Sequence, residues 1–322
     1  MEARHFAREA YAREMTPTEP INWLLDPLQS DPSIRWQVMR DLLGAAAGDW
    51  QSERGRVATE GWGAELLERQ QPNGGWSTVV QPRRFVETAD GSATHALALL
   101  VDMGLDPESE PAKRAVERVG DHVTFYEGNQ PFFTGEVEPC INGRVLQIGA
   151  YFGRPSEALA KRLLSEQLGD GGWNCDAPPS TRGSFHTTIC VLEGLLAYEQ
   201  MTGTALAEGR TRGEEYLLSR RMLRSLSSGE VIDSQWTLFS YPPGYHYDVL
   251  RGLDYLRNAG VAADDRVMEA VSLLEQKRTE DGRWLLENPH DDGLDFEMEV
   301  AGEPSRWNTL RALRVLQWAQ SG

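Results

Sequence analysis

Chemistry in this chain can come from few side chains: the cysteines Cys140, Cys175 and Cys190, six histidines and a handful of clustered carboxylates. Thiolate and imidazole bind zinc and similar metals, whereas carboxylates move protons or hold hard cations. Asp176, Asp248 and Glu299 are available as acid or base, and nothing in their context ranks them. An odd number of cysteines argues against a disulfide framework. The segment Met1 to Met15 carries Glu2, Arg4, Arg8, Glu9, Arg13 and Glu14 without an apolar run, so it does not read as a secretory leader. The expected location is a reducing cytoplasm, where a cysteine is more often a small buried hydrophobe than a ligand unless its neighbours say otherwise.

The chain of 322 residues carries a formal charge of −17 and no basic run, which excludes a phosphate-binding surface for nucleic acid. Apolar stretches such as Ala96 to Val101 are far too short for a bilayer. With 40% hydrophobic residues and 10 Trp there is ample material for a core, so global disorder is excluded. The acidic excess is expected on outer helices and loops such as Asp102 to Glu117 and Glu280 to Glu303.

The elements that position these residues repeat along the chain. Arg35-Trp36-Gln37-Val38-Met39-Arg40-Asp41-Leu42, His246-Tyr247-Asp248-Val249-Leu250-Arg251-Gly252-Leu253 and Arg306-Trp307-Asn308-Thr309-Leu310-Arg311-Ala312-Leu313 share one pattern of basic, aromatic, polar, Leu/Met, Arg and Leu positions. The aromatic, the Leu/Met three residues on and the Arg four residues on share a helix face, and each such Arg is expected to pair with an acid of a neighbouring repeat. Turns repeat too: Gln70-Gln71-Pro72-Asn73-Gly74-Gly75-Trp76, Gln167-Leu168-Gly169-Asp170-Gly171-Gly172-Trp173 and the degenerate Arg278-Thr279-Glu280-Asp281-Gly282-Arg283-Trp284. Each follows an amphipathic helical stretch, where Gly is the expected stop.

Six helix starts near residues 35, 92, 140, 185, 246 and 306 are spaced for helical hairpins, and strand patterns are meagre. Small-residue apolar helices alternate with charged amphipathic ones, which predicts an all-α (α/α) toroid: five to six hairpins, an inner and an outer ring, and a central cavity. Residues 1–20 are expected to form an arm or extra helix and residues 21–322 the single toroid domain. Inner helices that all run the same way gather their N-termini at one end, so function is expected at inner-helix starts.

The Gln-x3-Gly-x-Trp turns resemble the QW motifs of squalene and oxidosqualene cyclases, and the hairpin repeat is similar to the α/α toroid that those cyclases share with protein prenyltransferase β subunits. The protonating Asp-x-Asp-Asp motif of the cyclases is absent. Asp291-Asp292-Gly293-Leu294-Asp295 fits the DDxxD string of class I terpene synthases, but beside Pro289 and Gly302 it reads as a solvated loop. The prenyltransferase resemblance implies a catalytic zinc: Glu138 stands where that family has Asp, Cys140 where it has Cys, and His186 where it has His. Cys175, in Trp173-Asn174-Cys175-Asp176, is a further ligand candidate that the family pattern lacks. A Cys2His or Cys2HisGlu set meets zinc's tetrahedral demand, and a helix N-terminus favours the thiolate. The other reading is two buried small thiols and a hydrogen-bonded His186, while Cys190 reads as core.

The basic residues that hold diphosphate in that family are missing from Gly128 to Val137. Substitutes near inner-helix starts are His246, Arg306, Arg35 and His95, each with an ordinary packing role as its alternative. Trp36, Tyr126, Tyr247 and Trp307 are candidates to line an apolar cavity, where π faces stabilise a carbocation. The expected function is thus a toroid enzyme with Zn2+ at the cavity rim, acting on an isoprenoid or other hydrophobic small molecule. The alternatives are a metal-free, class II-like cyclase initiated by an acid such as Asp248 or Asp254, and a non-catalytic ligand- or partner-binding toroid with a structural zinc. A protein partner or a homo-oligomer is compatible with each.

Overall fold

A computed structural model describes residues 19–76, 92–126, 128–290, 294 and 296–321. The DDxxD aspartates Asp291, Asp292 and Asp295, and nearly all of the arm at 1–20, lie outside the described residues. Six helices form an inner ring: α2 (Pro32–Asp41), α5 (Ala93–Asp102), α7 (Pro139–Tyr151), α9 (Phe185–Thr202), α11 (Val249–Asn258) and α13 (Arg306–Ala319). Outside them lie α4 (Gly61–Glu68), α6 (Glu110–His122), α8 (Glu157–Ser165), α10 (Ala207–Ser219) and α12 (Met268–Gln276), with the short α1 (Glu19–Leu25) and α3 (Ala47–Gly55) near the ring's seam. Inner helices bury side chains on most faces, including Ile141, Val145 and Leu146 of α7, whereas α6 buries one stripe of Ala112, Ala115, Val116 and Val119. The architecture is the all-α toroid that the repeat pattern predicts.

The glycine–tryptophan turns explain how the two rings are joined. Trp76 donates its indole N–H to Leu66 O of α4 (2.6 Å) and its backbone N–H to Ser92 Oγ at the head of α5 (2.8 Å). Trp173 does the same to Leu163 O (2.6 Å) and Thr188 Oγ1 (3.0 Å), and Trp284 to Leu274 O (2.8 Å) and Thr309 Oγ1 (3.0 Å). Each Trp therefore fastens the outer helix before it to the inner helix after it. The chain reverses at Gly74, Gly171 and Gly282, with φ of +88°, +88° and +79°, a region open at low cost only to glycine. Gln70 and Gln167 reach carbonyls of the next outer helix, Ala115 O (3.0 Å) and Gly209 O (2.8 Å). In the degenerate turn Arg278 takes that place, and its guanidinium lies over the Trp284 ring, 5.7 Å from the centroid.

Small residues set the closest contact of the ring. A Cβ on Gly194 of α9 would lie 2.2 Å from Gly143 O of α7, and one on Gly143 would lie 2.4 Å from Cys190 O, so these helices touch backbone to backbone. The ring closes where Arg314 of α13 donates to Gln37 Oε1 of α2 (2.7 Å) and pairs with Asp41. Strand content among the described residues is one antiparallel pair, Trp284–Leu285 with Pro304–Ser305. No helix among them is long and apolar enough to cross a membrane.

Candidate functional site

All six inner helices contribute to a central cavity of about 590 Å³. They do so mostly from their C-terminal halves, through residues such as Arg40, Asp102, Gln147, Gln200, Asp254 and Arg314. The cavity therefore opens at inner-helix ends, not at the starts where function is expected from the sequence. The reason is the segment 240–247, Ser-Tyr-Pro-Pro-Gly-Tyr-His-Tyr, which closes the other end. Its Ser240, Gly244 and His246 carbonyls accept hydrogen bonds from Arg311 (3.0 Å), Arg144 (2.6 Å) and Arg251 (2.5 Å). Tyr241 and Pro243 form cavity wall, and Tyr241 stacks on Trp307 with ring centroids 4.3 Å apart.

The wall is as polar as it is apolar. Seven arginines face three carboxylates there, Asp102, Glu193 and Asp254, alongside Trp36, Tyr151, Tyr255 and Trp307. Most guanidinium groups are paired. Arg251 grips Glu193 with two hydrogen bonds (2.9 and 2.7 Å) and Arg144 adds a third contact at 3.1 Å. Burial raises the carboxyl pKa of Glu193, but the charges of Arg251 and Arg144 prevail and hold it down at about 2. Asp254 takes Arg257 (2.9 Å) and lies 3.9 Å from Arg311. The octapeptide arginines Arg251 and Arg311 thus meet acids of neighbouring helices, while Arg40 pairs with the adjacent Asp41 (2.5 Å).

Asp102 differs from these acids. It ends α5, keeps some surface on the cavity, and its carboxyl has no hydrogen-bond or ion-pair partner among the described residues. Burial pushes its pKa up to about 6; Glu193 adds to the rise, and Arg144, Arg311 and Arg251 oppose it. Asp102 opens the run to Glu117 that is expected on the outer surface; the structure turns it inward. A polar residue at the end of the apolar run Ala93–Asp102 is the only trace of this in the sequence.

Zinc-type ligands gather elsewhere, at the N-terminal end of α7. Ligand atoms of Glu138, Cys140 and Cys175 lie within 4.8 Å of one another. The sulfurs are 2.9 Å apart, Cys140 Sγ is 3.6 Å from Glu138 Oε2, and Cys175 Sγ is 3.3 Å from Thr187 Oγ1. The Cys175 thiol has a lowered pKa, chiefly through its hydrogen bond with Cys140, and the Cys140 thiol is pushed up by that bond and then by burial. His186 stands outside the group: its Nδ1 accepts the Tyr247 backbone N–H at 2.8 Å. It belongs to a histidine trio that sequence reading missed in part, edge-on to His246 (5.7 Å), which stacks on His290 at 3.8 Å. Burial first and His246 next push the His290 pKa down to about 4. Cys190 is fully buried core.

The remaining candidates are dispersed. Asp248 is buried and spends its oxygens as the cap of α11, on Arg251 N–H (2.8 Å) and on the Ser240 hydroxyl (2.7 Å). Glu299 caps α13 through Arg306 N–H (2.6 Å) and Ser305 Oγ (2.5 Å), and Asp176 is exposed in a turn. Trp36 and Trp307 line the cavity. Tyr247 instead packs against Phe185 and Trp236 and donates to Met222 O, and Tyr126 is 52% exposed on the surface. Arg35 pairs with Glu53 (2.5 Å), Arg306 lies over Trp23, and His95 meets Tyr245 edge-on at 5.2 Å beneath the 240–247 segment.

No family model and no curated protein matches the chain. Among solved structures, it is similar to a protein from Actinoplanes (17% identity, TM-score 0.46, covering 97% of this chain and 99% of that one). It is also similar to the type II terpene cyclase MstE from Scytonema in its apo form (17% identity, TM-score 0.45, covering 89% and 86%). A substituted form of MstE in complex with geranylgeranyl dihydroxybenzoate, its substrate, gives 17% identity and a TM-score of 0.43 over 90% of this chain and 87% of that one.

Proposed function

We propose that the chain is a toroid enzyme in which Asp102 delivers a proton to a hydrophobic, isoprenoid-type substrate enclosed in the central cavity, a metal-free, class II-like cyclisation. The observation behind this reading is the placement of Asp102: a carboxyl on the cavity wall with no partner to hold it ionised, and a pKa near 6. An acid of that strength still has a proton to give close to neutral pH. Protonating a carbon–carbon double bond leaves a cation, and the rings of Trp36, Tyr151, Tyr241, Tyr255 and Trp307 supply π faces to stabilise it. Arginine works against a cation: at about 6 Å and an effective dielectric near 20, each guanidinium raises it by roughly 3 kcal/mol. The reacting double bond therefore belongs on the aromatic side of the cavity.

Incubation with squalene and with a prenyl diphosphate, read by mass spectrometry, is expected to yield a cyclic product that Asp102→Asn no longer makes. No cyclic product, or the same product from the variant, would overturn this reading.

A zinc-dependent reading has one observation of its own, the convergence of Glu138, Cys140 and Cys175. Two thiolates and a carboxylate would hold Zn2+ and leave a fourth position for water or a substrate thiol, supplying Lewis-acid chemistry at that end of the ring. Elemental analysis of protein purified without chelator is expected to give about one zinc per chain, lost in Cys140→Ser. Metal-free protein would sink it.

A further inference from the structure

We propose that the central cavity is built for a multiply charged oxyanion, so that its ligand is an organic molecule with an anionic head group rather than a neutral hydrocarbon. The proposal deepens the reading above and rests on the cavity being the working site.

The charge ledger of the wall carries it. Asp41 is shared by Arg40 and Arg314, Glu193 by Arg144 and Arg251, and Asp254 by Arg257 and Arg311. Each carboxylate thus serves two guanidinium groups and leaves one positive charge over. Arg54 adds another, because its partners are the Gly104 and Leu105 carbonyls and the Tyr151 hydroxyl. Among the described residues, Asp102 is the one further carboxylate on the wall, and it cancels at most one of these charges. In a chain of net charge −17, this local surplus of positive charge runs against the composition.

Helix dipoles do not account for it. Cations are favoured in the last turn of a helix, which explains Arg40 and Arg257. Arg251 is the third residue of α11, in the first turn where the dipole is unfavourable to it, and Arg144 and Arg311 are the sixth residues of α7 and α13, away from the last turn that would favour them. These three residues are only 2%, 4% and 6% exposed, so water does little to stabilise them.

Hydrogen-bonding capacity is also left over. Among the described residues, Arg311 donates hydrogen bonds through Nη1, to Ser240 O and Asn308 Oδ1, and its Nε lies 3.9 Å from Asp254, which leaves Nη2 without an acceptor among them. Tyr241 OH, Trp307 Nε1 and Arg314 Nε, all on residues of the cavity wall, are buried without a partner among the described residues. Planar guanidinium donors of fixed orientation suit phosphate or carboxylate oxygens. An anionic head held by these arginines also supplies the counter-charge that a cation in the same cavity lacks.

The test is direct binding to the full chain, with inorganic diphosphate and citrate as probes for the phosphate and carboxylate sources. Titration calorimetry and thermal shift are run against sodium chloride at matched ionic strength. The expected result is saturable binding of at least one probe with a rise in Tm that chloride does not give, weakened at least tenfold in Arg311→Gln and in Arg54→Gln. Arg54→Gln keeps the test decisive if Arg311→Gln fails to fold. Asp102→Asn is expected to bind the probe at least as tightly, since it removes a negative charge. Absence of binding at millimolar probe, or binding unchanged in both arginine variants, would overturn the proposal. Failure of the proton-transfer reading is distinct, since it would leave anion binding intact with no cyclic product.

Discussion

Glu193→Gln is expected to lower the unfolding free energy by about 3–5 kcal/mol, because one carboxylate neutralises two buried guanidinium groups and its loss strands both. Arg144 and Arg251 are 4% and 2% exposed, and their remaining hydrogen bonds go to neutral acceptors such as Gly244 O and Gln147 Oε1, which cannot replace the lost charge. The pH dependence has a definite sign. The folded-state pKa of Glu193, about 2, lies below its ordinary value of 4.5, so the stabilisation is complete above pH 4.5 and disappears as pH falls through 2. That depression corresponds to about 3 kcal/mol. Urea denaturation at a series of pH values should show this loss in the wild type and a flatter profile in Glu193→Gln. A variant within about 1 kcal/mol of wild type at pH 7 would show that water or a rearranged acid takes over the neutralisation.

Both rings of the fold are legible in the sequence because they rest on local signals. The turns announce themselves through glycine at positive φ and a tryptophan that needs an acceptor, and the three octapeptides fall on α2, α11 and α13. What stays hidden is which end of the ring is open. Helix direction puts all the inner starts at one end, and that end attracts attention through Cys140, His186 and His246. Whether it is open depends on where the loop 240–247 runs, and its Pro-Pro-Gly reads equally well as a surface turn. The sense of the charges is hidden for a related reason. Arg144, Glu193 and Arg251 look like the salt bridges of amphipathic helices until the ring brings α7, α9 and α11 together, and only then does one acid stand against two bases. Glu138, Cys140 and Cys175 converge because the residue pair 138 and 140 at the head of α7 lies beside the loop after Trp173. His186 opens α9, but neither of its ring nitrogens falls within that group, and its Nδ1 accepts the Tyr247 backbone N–H.

Asp102→Asn is expected to make the protein more stable above pH 6, by about 2–3 kcal/mol, while abolishing proton delivery. Burial raises the Asp102 pKa from 3.8 to about 6, so the folded state holds this proton more tightly than the unfolded chain does. Its contribution is complete below pH 3.8 and is lost as pH rises through 6; beyond that the folded protein carries a poorly solvated carboxylate. Asparagine has the same shape and no charge, so it escapes the penalty at high pH and matches the protonated acid at low pH. The wild-type and Asp102→Asn stability curves should therefore coincide near pH 4 and separate towards pH 7. In turnover, the wild type should lose rate above about pH 6 as the acid ionises, and the variant should show no product at any pH. A gain in stability coupled to a loss of activity is what a functional acid held in an unfavourable place produces, whereas an aspartate retained for packing would lose stability when replaced. Parallel stability curves across this range would mean that Asp102 is solvated or paired in solution, and the proton donor would then have to be sought elsewhere on the wall.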